Sequence, residues 1–225
     1  MRPWVQCAVS GILLCGLVNI APAAAKPHVI VFGKWTNVRV LPEREQGEPV
    51  ELKVRPLYVD AKLREYTFGI PHEITEHLFV VRRIVRVNDA LPEESSARWV
   101  WQRNGWLAVD RTNGHVSPVN LPEFDPELST GVWYRDYVAY CGISDDGKKL
   151  FALVMQLGRR RPILRKAMGE VSSASRNATD CRPPLWERVP RRVTFFQADQ
   201  KIAFAIRGHA VESVSDEDED EAGTE

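Results

Sequence analysis

Apolar and polar residues alternate along much of the first half of the chain. In the segment 50–69, Leu52 and Val54 alternate with charged neighbours. The segments 28–41 and 77–88 mix β-branched and aromatic residues with polar ones in the same way. A period of two is typical of strands with one buried face. The pattern predicts strands throughout this half.

Helical patterns are weak along the whole chain. No segment carries the apolar stripe of 3.6-residue period that marks an amphipathic helix. The two best candidates, residues 89–99 and 165–177, are short and polar, and both are predicted to be connections. The predicted fold class is therefore all-β.

Two Asn-Gly pairs, at 104–105 and 113–114, are the clearest turn signals. Asn-Gly between extended runs is typical of a type I′ hairpin turn, which requires positive φ at both central residues. If each turn has two residues, Arg103 pairs with Trp106 and Thr112 pairs with His115. The prediction is a meander of three strands: Arg98–Arg103, Trp106–Thr112 and His115–Val119.

Similar turn signals recur further along the chain. Asp146-Gly147 predicts a turn that places Cys141 opposite Ala152, and Gly158 marks a second reversal. The segment 192–214 again joins extended runs by reversals. Three meanders at a spacing of about 45–50 residues indicate a repeat of one sheet unit.

Two of these hairpins resemble those of known proteins. YVAYCGISDDGKKLFAL, residues 137–153, resembles the hairpin of WD40-like and TolB-like β-propellers. WLAVDRTNGHVSPV, residues 106–119, is similar to the hairpin of quinoprotein-like propeller repeats. The resemblance covers residues 98–214 and implies antiparallel meanders in a propeller-like arrangement or a partial propeller. A twisted β-sandwich and an open barrel are the alternatives, and hairpin motifs of this kind imply no particular function.

The two ends of the chain differ from its body. Residues 1–25 combine Arg2, an apolar run and an Ala-x-Ala-type site, which predicts a cleaved signal peptide, with an uncleaved membrane anchor as the alternative. Residues 216–225 hold seven acids and no base, which predicts a disordered tail. One domain, residues 26–215, remains between them. We expect a periplasmic or secreted protein with no transmembrane segment after cleavage.

Charge is segregated along the chain. The whole chain carries 30 Lys and Arg residues against 30 Asp and Glu residues. Without Arg2 and the seven tail acids, the body keeps 29 basic against 23 acidic residues, a net charge of +6. Arg159, Arg160 and Arg161 form one basic cluster. This cluster is predicted either to be solvated or to bind a polyanion under the control of the acidic tail.

Two cysteines, Cys141 and Cys181, remain in the predicted mature protein, since Cys7 and Cys15 lie in the predicted signal peptide. An even pair in an exported chain predicts a disulfide, with two buried free thiols as the alternative. No C-x-x-C occurs, so a dithiol motif of that type is excluded.

The stretch PHEITEH, residues 71–77, concentrates candidate metal ligands: His72, Glu73 and His77. The zinc motif H-E-x-x-H needs histidines at i and i+4 on one helical face, whereas these two are five residues apart. That spacing points them to different sides of a helix or a strand. We expect a polar loop that leads into a strand. A metal or acid–base site of a secreted hydrolase is the alternative.

Aromatic residues are the other candidates for binding. Trp99 and Trp101 lie two apart and share one strand face, and Trp106 lies across the predicted turn. Trp133 and Tyr134 follow later. Exposed aromatic rings would stack on sugars or peptide side chains, whereas buried ones would fill the space between sheets.

Catalytic and nucleotide-binding signatures are missing from the sequence. It has no P-loop, no G-x-G-x-x-G and no G-x-S-x-G. The predicted function is that of an exported, soluble, non-catalytic binding or structural protein. Its expected partner is a protein or a polysaccharide, with no nucleic acid and no cofactor.

Overall fold

The alternating segments form strands, as their pattern predicts, and those of 50–69 and 77–88 are long, whereas 28–40 holds two short ones. A computed structural model describes residues 28–40, 49–171, 182–197, 200–207 and 210–214. These residues form fifteen strands and no helix, which confirms the all-β class. The strands are β1 (Ile30–Phe32), β2 (Thr36–Val40), β3 (Val50–Val59), β4 (Lys62–Glu73), β5 (Leu78–Asn88), β6 (Trp99–Asp110), β7 (Val116–Val119), β8 (Val132–Tyr134), β9 (Tyr137–Ile143), β10 (Lys149–Gln156), β11 (Leu164–Glu170), β12 (Leu185–Glu187), β13 (Arg192–Gln197), β14 (Gln200–Arg207) and β15 (Ala210–Val214).

The first seven strands form one sheet that curls into a barrel. β3 pairs with β2 and β4, and β5 and β6 continue the sheet as antiparallel neighbours. A parallel bridge between Val40 and Trp101 joins β2 to β6 and closes a ring of five strands. β1 extends the sheet along β3, and β7 extends it along β6. The ring is closed, unlike the open barrel that the sequence left as an alternative.

Inward-facing residues of these strands fill the barrel with two apolar clusters. The buried members are Leu57, Phe79, Val81, Leu107 and Val109 in one cluster and Val40, Val54, Phe68 and Ile84 in the other. Burying one such side chain stabilises the fold by about 1.5–3 kcal/mol. A slip of one residue would turn a strand's apolar set outward, so this core fixes the register.

Two further sheets complete the fold: the second sheet packs on the barrel, and the third packs on the second. Their orders are β11-β10-β9-β8 and β12-β13-β14-β15. One face of the second sheet packs on the barrel through Tyr140 and Leu153. The other face packs on the third sheet, where Cys141 and Ala152 belong to the same core as Phe195. Burial on both faces explains why β9 and β10 are continuous apolar runs without alternation.

Antiparallel meanders are present at β8–β11 and β12–β15. The segment 98–119, predicted as a third meander of three strands, forms only β6 and β7 of the barrel sheet. The arrangement of the sheets as a propeller stays a prediction. The segment 164–170, expected in part to be a connection, is strand β11, because its backbone pairs with β10. The described residues contain no helix that is long and apolar enough to cross a membrane. The predicted signal peptide, residues 1–25, and the acidic tail, residues 216–225, lie outside the described residues.

The prediction of a hairpin turn at Asn104-Gly105 is wrong. β6 runs straight through this pair, and Trp106 lies opposite Arg82 instead of Arg103. The two residues oppose only Arg83 on β5, so they form a β-bulge, and the Gly105 N–H is bonded to Oδ1 of Asn104 at 2.8 Å. Pairing along the whole length of β5 overrides the local turn preference.

The chain does reverse at Asn113-Gly114, but not by the predicted two-residue turn. The Asp110 N–H donates to the His115 carbonyl at 2.9 Å, so residues 111–114 form the loop and Thr112 does not pair with His115. Gly114 has φ +67°, and a Cβ there would come within 2.9 Å of His28 and Val59. The glycine is therefore needed both for the left-handed backbone and for the close approach of His28 and of Val59 in β3.

The turn at Asp146-Gly147 gives the predicted register, but its loop spans residues 145–148 instead of two residues, because the Ser144 N–H donates to the Lys149 carbonyl at 2.9 Å. Cys141 pairs with Ala152, and the chain reverses at Ser144–Gly147, where the Gly147 N–H donates to the Ser144 carbonyl. At Gly158 the chain reverses again between β10 and β11.

Candidate functional site

A cleft opens between the barrel and the second sheet. It has a volume of about 380 Å³ and lies between β5, β6 and β7 on one side and β8, β9 and β10 on the other. Its lining residues are Leu78, Ala108, Ser117, Pro118, Val119, Asn120, Leu121, Trp133, Val138, Met155, Gln156, Leu157, Gly158, Arg159 and Arg160. Ligand sites in proteins are typically concave, mostly apolar and about 300–1,000 Å³ in size.

The floor of the cleft is apolar because it continues the core between the two sheets. Val138, Met155 and Trp133 belong to that core and also line the cleft. On the barrel side, the small residues Ala108 and Ser117 face each other across β6 and β7. Small side chains at this pair leave space that bulkier residues fill elsewhere between the sheets.

Two arginines stand at the rim of the cleft on a tight turn. The Arg159 N–H donates to the Gln156 carbonyl at 3.0 Å, and Gly158 has φ +81°, as a type II turn requires. The Arg159 Nε also donates to Gln156 Oε1 at 2.8 Å, while Gln156 Nε2 donates to Asp136 Oδ2 at 2.7 Å. Asp136 therefore orients Gln156, and Gln156 orients the Arg159 guanidinium.

The predicted basic cluster is exposed, and two of its three arginines line the cleft. Arg159, Arg160 and Arg161 are all exposed, and none makes an ion pair within the described part of the chain. Arg159 and Arg160 line the cleft, whereas Arg161 does not. The acidic tail, whose control of this cluster was one of two alternatives from the sequence, lies outside the described residues.

A second concavity adjoins the cleft through Leu78, Leu157 and Gly158. It is lined in addition by Ile74, Thr75, Arg135 and Asp136. Arg135 has φ +53°, a conformation that residues other than glycine rarely adopt. Its carbonyl accepts a hydrogen bond from Nε2 of His72 at 2.8 Å, which ties this turn to the end of β4.

PHEITEH forms the end of β4 and the turn that follows. His72 and Glu73 are strand residues, so the predicted loop is wrong for them, whereas Ile74–His77 form the expected connection into β5. His72 stacks on Trp133, with ring centroids 6.0 Å apart. His72 therefore packs against Trp133, a residue of the cleft wall, without lining the cleft itself.

One of the two acids of this stretch, Glu73, is held by a cation. Glu73 receives two hydrogen bonds from Arg111, at 2.8 and 2.9 Å, and these bonds lower the pKa of Glu73. His77 lies exposed in the turn. Among the described residues, no group of three or more His, Cys, Asp and Glu side chains could hold a metal ion. His72, Glu73 and His77 therefore do not converge as a metal site.

The candidate aromatics do not form one binding surface. Trp106 and Trp133 are buried, and they pack edge to face with centroids 5.6 Å apart. Trp101 is partly buried against the barrel core, and Trp99 is 56% exposed. Tyr134 stacks on Trp186 of the third sheet. Their main contribution is to packing, and only Trp133 lines the cleft.

Cys141 is a buried free thiol in this structure. Its predicted partner, Cys181, lies outside the described residues. The Cys141 Sγ lies 3.9 Å from the carbonyl oxygen of Arg182, the residue that follows Cys181.

The connection between the barrel and the second sheet, residues 120–131, is anchored at several points. The Tyr140 hydroxyl donates to the Pro122 carbonyl at 2.8 Å, and burial raises the pKa of Tyr140. The Ser129 hydroxyl donates to the Cys141 carbonyl at 2.6 Å. Arg82 donates to the Pro126 carbonyl at 3.3 Å, and burial lowers the pKa of Arg82 to about 10. These contacts fix the position of Leu121 in the cleft wall.

No protein-family model, curated protein or solved structure matches this chain. Most cleft residues were not candidates from the sequence, because six strands and two connections contribute to the cleft. Only Trp133, Arg159 and Arg160 carried a signal, as an aromatic residue and members of a basic cluster. Nothing in the local sequence distinguishes Ala108, Ser117 or Gln156.

Proposed function

We propose that this chain is an exported, non-catalytic binding protein whose ligand site is the cleft between the barrel and the second sheet. The apolar floor formed by Trp133, Val138 and Met155 supports this proposal most directly. Such a floor favours a small ligand with an apolar body, since apolar contact supplies most of the driving force in sites of this kind.

The chemistry of the surrounding residues also favours binding over catalysis. The acids close to the cleft are engaged in structural roles: Asp136 accepts from Gln156, and Glu73 accepts from Arg111. His72 donates to the Arg135 carbonyl. A general base must lie within reach of the proton that it removes, and these groups are turned toward protein partners instead.

Filling the cleft is expected to abolish binding of an apolar probe. The variant Ser117→Phe places a ring in the space opposite Ala108 and should weaken the binding of N-phenyl-1-naphthylamine, a neutral dye, by at least about tenfold. Dye fluorescence during titration measures this affinity. Ser95→Phe, at an exposed position outside the cleft, is the matched control and should bind as the parent does. Equal affinities of the two variants, or no dye binding by the parent chain, would contradict the proposal.

Export and the disulfide belong to the same proposal. In an oxidising compartment we expect Cys141 and Cys181 to form a disulfide, because Arg182 lies against the Cys141 thiol and Cys181 precedes it directly. Mass spectrometry of the exported protein, alkylated under denaturing conditions without reduction, should find neither thiol modified. Recovery of both cysteines in alkylated form would show that the thiols stay free.

A further inference from the structure

We infer that the ligand of the cleft is a small amphipathic anion, with an acid group at Arg159 and Arg160 and an alkyl or aryl body on the apolar floor. This inference rests on the proposed function and adds the chemical class of the ligand. It follows from the position of two cationic side chains at one end of an apolar cleft.

The rim carries positive charge that the described residues do not neutralise. Arg159, Arg160 and, in the adjoining concavity, Arg135 make no ion pair there. Asp136 is the one acid among the residues that line the two concavities, and its Oδ2 accepts the Gln156 amide. An anion at the rim would therefore meet an excess of guanidinium donors.

Arg159 is held in place before any ligand arrives. Its Nε is bonded to Gln156, and its backbone is fixed by the turn at Gly158. This leaves the two terminal nitrogens of the guanidinium, which are the edge that binds a carboxylate in two parallel hydrogen bonds. Such preorganisation reduces the entropy lost on binding.

The size of the cleft favours a small anion over a polyanion. A volume of about 380 Å³ is near the lower end of ligand sites. The cationic groups stand at one rim and the rest of the lining is largely apolar, so one acid group and one apolar body match it. A polysaccharide with a charge on every unit would place several of those charges on the apolar floor, where desolvation is unfavourable.

Matched ligands that differ only in the head group test this inference. Decanoate, decanol and decyltrimethylammonium compete with bound N-phenyl-1-naphthylamine, and the dye fluorescence reports displacement. We expect decanoate to bind about tenfold more tightly than decanol, since a hydrogen bond to a charged group contributes more than a neutral one. Decyltrimethylammonium should bind most weakly. The advantage of decanoate should shrink at high salt.

Two neighbouring arginines provide the matched variants. Arg159→Gln should remove most of the advantage of decanoate over decanol, measured as the ratio of the two affinities in the same variant. Arg161→Gln, which removes the same charge from an exposed position outside the cleft, should keep that advantage. Equal loss in both variants would indicate a general charge effect and would overturn the assignment of Arg159.

The outcomes separate this inference from the proposed function. If the dye binds and is displaced equally by decanoate and decanol, the cleft is a ligand site but the ligand is not selected for its acid group. If the dye does not bind to the parent chain at all, the proposed function itself fails. Displacement by decyltrimethylammonium as effective as that by decanoate would also overturn the inference.

Discussion

Replacing Phe195 with alanine is expected to lower the free energy of unfolding by about 3–5 kcal/mol. Phe195 is fully buried in the core between the second and third sheets, where it packs edge to face on Phe204 with centroids 6.1 Å apart. Its loss removes buried apolar surface and leaves a cavity that sheets on both sides prevent from collapsing. A loss of this size approaches the whole stability of many domains.

Chemical denaturation monitored by circular dichroism measures the effect of Phe195→Ala. The neighbouring Phe196 provides the control, because successive strand residues point to opposite faces and Phe196 is only partly buried. Phe196→Ala should lose no more than about a third as much free energy. Equal losses for the two variants would mean that the third sheet does not pack on the second through Phe195.

The second large effect is expected at Glu127. Its carboxylate lies 3.6 Å from Arg103, and its negative charge also stabilises protonated Arg82. Glu127→Gln leaves these two arginines facing each other with less compensation, and we expect a loss of about 2–3 kcal/mol. This is below the 3–5 kcal/mol for breaking a fully buried pair, because Arg103 and Glu127 keep 25% and 18% of their side-chain surface exposed.

A second substitution distinguishes charge imbalance from lost packing. Arg82→Met removes a cation whose Nε is shielded from solvent and has no hydrogen-bond partner among the described atoms. The double variant Glu127→Gln with Arg82→Met should recover most of the stability lost by Glu127→Gln. Denaturation of the parent, both single variants and the double variant gives the coupling energy. Strictly additive effects would falsify the electrostatic explanation.

The burial of Arg82 also has a defined pH dependence. Its pKa is lowered to about 10 in the folded chain, so folded and unfolded chains both carry the proton below that pH. The destabilising contribution of Arg82 is therefore constant from about pH 5 to 9 and decreases only as the pH rises above about 10. The rescue by Arg82→Met should accordingly be the same at pH 6 and at pH 8.

The sequence predicted the structure correctly where no contact between distant residues opposed the local preference for a strand or a turn. Alternation in residues 50–59 and the Asp-Gly turn at 146–147 predicted strands and a register that the structure confirms, down to Cys141 opposite Ala152. The prediction was wrong where a local turn preference was overridden by the pairing of two long strands. Asn104-Gly105 has the composition of a hairpin turn, yet the pairing of β5 with β6 on both sides makes it a bulge.

The candidate site depends, even more than the turns do, on contacts between residues that are far apart in sequence. Arg159 and Trp133 were noticed as charge and aromatic signals, but their common cleft requires the second sheet to stack on the barrel. His72 was noticed as a metal ligand, whereas in the fold its Nε2 donates to Arg135 and its ring supports Trp133. The periodicity of apolar and polar residues does not predict these contacts, because it reflects only neighbours along the chain.

By itself, the sequence determined the all-β class, most strand positions and the absence of the common catalytic motifs. These properties depend on short-range periodicity and on turn residues, which act within a few positions along the chain. Only the tertiary structure decided that the first sheet closes into a barrel, that both faces of the second sheet are buried, and that a small apolar cleft with a cationic rim forms between them. Those features arise from side-chain volumes and pairings between residues far apart in sequence, such as Val40 with Trp101.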